Sequence, residues 1–184
     1  MDKQKHWRST WKGNDMNKAT NVLLIIYLLV LVWILLFKLG VRFSYMENRS
    51  VNLIPFREFL LFHIKIDRSE LILNVVIFIP LGIYAGVLYK RWTFGTKLFF
   101  FFFLSLLVEG LQYLLRAGAF DSTDILTNTL GGVIGLLVLH AVEKIVNNSA
   151  RTQRLTNIIA AIGTVVVISL LILLKLNLLP IRYQ

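Results

Sequence analysis

The sequence predicts an all-α membrane protein of about five transmembrane helices, with a short interfacial or re-entrant helix in the first outer loop. Three observations carry that prediction. Of 184 residues, 57% are hydrophobic and 16% charged, and the mean hydropathy is +0.69, a composition foreign to soluble domains. Five apolar stretches approach the ~20 helical residues that cross a hydrocarbon core about 30 Å thick: Thr20–Phe37, Leu71–Tyr89, Leu98–Leu115, Ile125–Val142 and Leu155–Leu174. Almost no length remains outside them, so residues 19–184 read as one polytopic membrane domain behind a polar segment at 1–18.

That polar segment carries Lys3, Lys5, Arg8, Lys12 and Lys18 against Asp2 and Asp15. It resembles the n-region of a signal peptide, but the apolar run behind it is too long for a typical h-region. The run also ends in Lys38-Leu39-Gly40 without a small-x-small cleavage site, so it is read as a retained first span. Trp7, Trp11 and Trp33 suit interfacial anchors.

The 38–70 loop is more than a linker. Arg49-Ser-Val-Asn-Leu-Ile-Pro-Phe leads into Arg57-Glu-Phe-Leu-Leu-Phe-His-Ile. Pro55 is placed to be the first residue of a short helix, which would put Phe56, Phe59, Leu60 and His63 on one face. Such a helix cannot span, so it would lie in the interface or re-enter over the ends of the spans.

The second span opens on Leu71-Ile-Leu-Asn74 and contains Pro80-Leu-Gly82, where Pro80 is expected to kink it. The third and fourth spans form the most informative stretch, Ser105–Gly135. Glu109, Gln112 and Arg116 recur at helical spacing, and after a short break Asp124, Asn128, Gly131 and Gly135 do the same. A connection as short as that around Gly118–Ser122 makes the two helices antiparallel neighbours with facing stripes. Gly131 and Gly135 add a small-xxx-small face for close helix approach. The fifth span carries only small or hydroxyl residues among its apolar ones and suggests no chemistry.

Basic residues divide almost evenly between the two sides of the membrane. Those grouped with the N-terminus (Lys90, Arg91, Lys97, Lys144, Arg151 and Arg154) lie in short segments with few acids. The 38–70 loop on the other side also carries Glu47, Glu58, Asp67 and Glu70. The positive-inside rule therefore favours an inner N-terminus and an outer C-terminus, which places the Arg116–Asp124 turn outside.

Four segments then bring polar groups to one depth: Arg49 and Asn52 from the loop, Asn74 from the second span, Glu109, Gln112 and Arg116 from the third, and Asp121, Asp124 and Asn128 from the fourth. An ionised group at mid-bilayer costs at least about 2.5–3.5 kcal/mol, so these need partners or a wet cavity. Glu109 is expected to pair with Arg116 or Arg49. An outward cavity holding carboxylates and guanidiniums suits an anionic or zwitterionic headgroup. Each residue also has a plainer reading. Asp121 can be the N-cap of the fourth helix with Asp124 at N3. Arg116 can snorkel, Glu109 and Gln112 can form a hydrogen-bonded seam, and Asn74 and Asn128 can be interhelical glue.

Other chemistries are excluded or unsupported. Cysteine is absent, which removes disulfides, thiol catalysis and thiolate metal sites. His6, His63 and His140 lack metal-ligand company, and no cofactor motif is present. The net charge of +10 fits a protein beside anionic lipid, and no basic motif with interleaved aromatics points to nucleic acid.

The order Asn52-Leu-Ile-Pro-Phe56, Asn74-x5-Pro80-Leu-Gly82, Ser105-x3-Glu109-x2-Gln112-x3-Arg116 and Asp121-x2-Asp124-x3-Asn128-x2-Gly131-x3-Gly135 resembles the VanZ-like family. The resemblance runs from about Arg49 to Gly135, or on to the end of the fourth span, so that 49–142 would be the family core. Its members are small bacterial membrane proteins named for one associated with teicoplanin resistance. It implies a role in the cell envelope, with Asn52, Pro55, Phe56, Asn74, Pro80, Gly82, Glu109, Gln112, Arg116, Asp121, Asp124 and Asn128 as signature positions, but it implies no reaction.

Three functions are open at this point. In the first, an outer pocket binds a lipid headgroup, a lipid-linked cell-wall precursor or a lipoglycopeptide tail without catalysis. In the second, the same site is an enzyme for a lipid-linked phosphate. Glu109 would then be its base, Asp121 and Asp124 would hold a divalent cation, and Arg116 would take the phosphate. In the third, small-residue faces dock the chain into another membrane complex. Oligomeric state is not legible.

Overall fold

A computed structural model describes residues 3–37, 51–56, 68–115, 118–148, 150–159 and 161–162. Four helices carry the architecture: α1 (Lys3–Phe37), α2 (Arg68–Leu88), α3 (Phe94–Leu114) and α4 (Ser122–Val146). Two short strands, β1 (Val51–Asn52) and β2 (Phe120–Asp121), pair in parallel, with Val51 opposite Phe120 and Asn52 opposite Asp121. All four helices are long and apolar enough to cross a membrane. The fifth expected span falls largely outside the described residues, of which 150–159 are helical.

Local signals set the helix ends. The polar start of the chain and its first apolar run form one continuous helix, α1. The third helix begins at Phe94 rather than at the apolar run, because Thr93 caps it by accepting the Thr96 N–H at 3.2 Å. Asn147 ends α4 in the left-handed conformation (φ 48°), its N–H bonded to the Glu143 carbonyl at 2.9 Å. Pro80 lies inside α2 and cannot donate to the Val76 carbonyl, yet α2 continues through it.

The loop before α2 departs from expectation at Pro55. Pro55 sits in a turn, and Phe56 has φ 55°. A residue at positive φ lies outside the right-handed helical region, so no helix starts at Pro55. Residues 57–67, including Phe59, Leu60 and His63, lie outside the described residues.

The helices meet around a core of Leu24, Leu31, Phe78, Leu81, Tyr84, Ala85, Phe101 and Val108. Large apolar side chains such as Leu29, Phe99, Leu114, Leu137 and Ile145 face outward, which is untenable in water and natural in lipid. The tightest packing joins α2 to α4, which run parallel. A Cβ on Gly131 or Gly135 would strike the Val75 or Ile79 carbonyl oxygen, and one on Gly82 would strike that of Gly132. A Cβ on Gly132 itself would lie 2.6 Å from the Phe101 ring of antiparallel α3. Backbones therefore touch where ordinary side chains would hold them apart.

At one end, α1 is tied to the helix at 150–159 by a buried amide–hydroxyl seam. Gln153 donates to Asn17 at 2.8 Å and to the Thr20 hydroxyl at 3.0 Å, and that hydroxyl lies 2.9 Å from Asn157 Oδ1. The start of the fifth span thus does carry polar function.

Gly131→Ala and Gly135→Ala should each lower stability by about 1–3 kcal/mol through overpacking. Gly110→Ala, with nothing within 4 Å of its added Cβ, should stay within about 0.5 kcal/mol of wild type in reversible unfolding in mixed micelles.

Candidate functional site

The break between α3 and α4 exposes the first N–H groups of α4, which need partners. Asp121 supplies one as the N-cap, accepting the Thr123 N–H at 2.7 Å. The capping expectation for Asp121, with Asp124 at N3, therefore holds. In a capping box the N3 side chain would turn back to the N-cap N–H. Here that role passes to another helix, because Glu109 Oε2 of α3 accepts the Asp121 N–H at 3.2 Å. Asp124 is turned to α2 instead, where Oδ1 accepts from Asn74 Nδ2 at 2.8 Å.

One turn deeper, Asn128 Nδ2 donates to Ser105 Oγ at 2.9 Å, linking α4 to α3 a second time. At the surface, β1 lies over the cap. Asn52 Nδ2 is 3.3 Å from both carboxylate oxygens of Asp121, and Asn52 Oδ1 accepts the Ile54 N–H at 3.3 Å. The turn at Pro55 then aims the Phe56 N–H at Thr123 Oγ1, 3.0 Å away. Positive φ at a residue with a Cβ is uncommon and stays where its surroundings fix it.

Burial is steep across the cluster. Glu109 is 1% exposed, Gln112 2%, Asn128 0% and Asp124 8%, while Asp121 is half-buried. Three carboxylates thus gather at the positive end of the α4 dipole. Glu109 is correspondingly ill placed near the negative end of its own helix, so its partners must come from elsewhere.

Seven expected site residues, Asn52, Asn74, Glu109, Gln112, Asp121, Asp124 and Asn128, lie at this one end of the bundle. Hydrogen bonds to other segments fix six of them, and Gln112 is buried one turn beyond Glu109. Arg49 and Arg116 lie outside the described residues. Two participants were not among the expected site residues. Ser105 lies on the Glu109 stripe one turn away and was legible by spacing, whereas nothing in the sequence marks Thr123 as the acceptor for Phe56. Among the described residues, no three His, Cys, Asp or Glu side chains form a group that could hold a metal ion. The arrangement offers carboxylate acceptors and amide donors beside greasy helix walls.

A family model described as VanZ/LLP1 matches residues 24–147. The chain belongs to the VanZ family. It is also 37% identical over 154 residues to "Protein VanZ" of Enterococcus faecium, covering 82% of this chain and 89% of that protein. The family match begins inside α1 and so extends beyond the four motifs to the first span. No solved structure matches. Membership in the VanZ family, with four helices able to cross a bilayer, makes this a bacterial membrane protein.

Asn74→Ala and Asp124→Ala should show a coupling of about 1.5–3 kcal/mol in a double-mutant cycle read by unfolding in micelles, the range for a hydrogen bond to a charged group. Additive losses would mean that the pair does not hold α2 to α4.

Proposed function

We propose that this VanZ-family protein acts in the cell envelope, where it lowers susceptibility to teicoplanin-type lipoglycopeptides. In this reading the cluster at the start of α4 faces outward and binds a lipid headgroup or lipid-linked cell-wall precursor without catalysing a reaction. The observation that carries the reading is the near-complete burial of Glu109 at 1% exposure, gathered with Asn74, Gln112, Asp124 and Asn128 at one end of a bundle whose central core is apolar. A membrane protein keeps an ionisable group at such a position at a cost of at least about 2.5 kcal/mol on insertion scales, which favours a role in function. In this reading Arg49 and Arg116 are the groups that would grip a phosphate or carboxylate. Asn52 and Asp121 form its rim, where β1 covers the cap.

The test is susceptibility of a sensitive Gram-positive host expressing wild-type or Glu109→Gln protein at equal membrane levels. A glutamine can still accept the Asp121 N–H, so the substitution removes charge and largely spares the cap. Protection against teicoplanin that is lost in Glu109→Gln supports the reading; equal protection by both proteins overturns the role of the site. Turnover of a polyprenyl phosphate by purified protein, abolished in Asp124→Asn, would replace binding with catalysis.

A further inference from the structure

The opposite end of the bundle has different chemistry. There α2, α3 and α4 leave an open recess of about 540 Å³ lined by Gly86, Lys90, Lys97, Glu143, Asn147 and Asn148. Its only ion pair among the described residues is Lys90 to Glu143, and at 4.0 Å that pair is loose. The half-buried Lys97 ammonium has no anionic partner among the described residues. Asn148 spends its Oδ1 on the Arg151 N–H at 3.0 Å, which leaves its amide N–H groups as donors. The recess is rich in donors, and two ammoniums against one carboxylate leave a single positive charge. That balance matches the single negative charge of a phosphodiester.

The surroundings say where such a phosphate would come from. Trp92 stacks on Tyr89 at 4.2 Å, and Phe100 meets both rings edge-on. Such aromatic groups sit at the level of lipid headgroups. Exposed Phe94 and Leu98 continue the apolar surface along α3 beside the recess. We propose that this recess binds the phosphate of an anionic phospholipid headgroup through Lys97, Lys90 and the Asn148 amide, with the acyl chains lying along α3. Basic recesses between spans are suited to acidic headgroups. The site is separate from the carboxylate cluster and does not depend on what that cluster binds.

The full-length protein is equilibrated in micelles containing equal phosphatidylglycerol and phosphatidylcholine, and retained lipid is read by native mass spectrometry. Phosphatidylglycerol should be retained preferentially. Its retention should fall about fivefold in Lys97→Gln, the change expected for one basic residue near a headgroup. Lys144→Gln, exposed and outside the recess, should leave retention unchanged. Glu143→Gln removes the competing carboxylate and should raise it, an opposite sign that a misfolded variant would not give. Equal retention of both lipids, or equal losses in Lys97→Gln and Lys144→Gln, overturns the proposal. Lys97-dependent thermal stabilisation by millimolar inorganic phosphate, without preferential lipid retention, would assign the recess to free phosphate and also overturn it.

Discussion

The contact on which the other features depend is the approach of α2 to α4 along Gly82, Gly131 and Gly135. Lipid tails are as apolar as leucine, so no hydrophobic force pushes two membrane helices together. Dispersion between closely packed backbones must do it, together with interhelical hydrogen bonds. The glycine contact sets the separation at which Asn74 reaches Asp124 at 2.8 Å. Wider spacing would leave a buried carboxylate without that donor, at a cost of about 1–3 kcal/mol or more for a charged group. Packing and polar pairing are therefore one constraint expressed at two depths.

The same constraint explains the unusual cap of α4. Because Asp124 is committed to α2, it does not close a capping box within its own helix. Glu109 accepts the Asp121 N–H in its place, and the start of α4 becomes a junction of α2, α3, β1 and β2. A structural role for the cap and a binding role for the cluster are compatible here. The hydrogen bonds that orient Glu109, Asp121 and Asp124 hold these carboxylates at one end of a greasy bundle.

Much of this was legible residue by residue. Glu109, Gln112, Asp124 and Asn128 declared themselves because polar groups at helical spacing in an apolar run are costly and need partners. Asn52 and Asn74 followed from their place at the same depth as those stripes. Other features were not legible. Pro55 suits the first turn of a helix and a tight turn equally, and the contact between the Phe56 N–H and Thr123 Oγ1 accompanies the turn. The Gln153–Thr20–Asn17 seam joins residues more than a hundred positions apart, beyond the reach of any periodicity. Gly82 was noted beside Pro80, but that it faces Gly132 emerges only when α2 and α4 are placed together.

By itself, then, the sequence determined that the chain is helical and membrane-bound, where four of its spans lie, and which polar residues must find partners. Those are consequences of apolar length and of the cost of burying charge, which are local properties. The tertiary structure alone decided who the partners are: Asn74 for Asp124, the Asp121 N–H for Glu109, and Ser105 for Asn128. Those choices depend on helix separation and rotation, which are set by glycine contacts between segments distant in the chain.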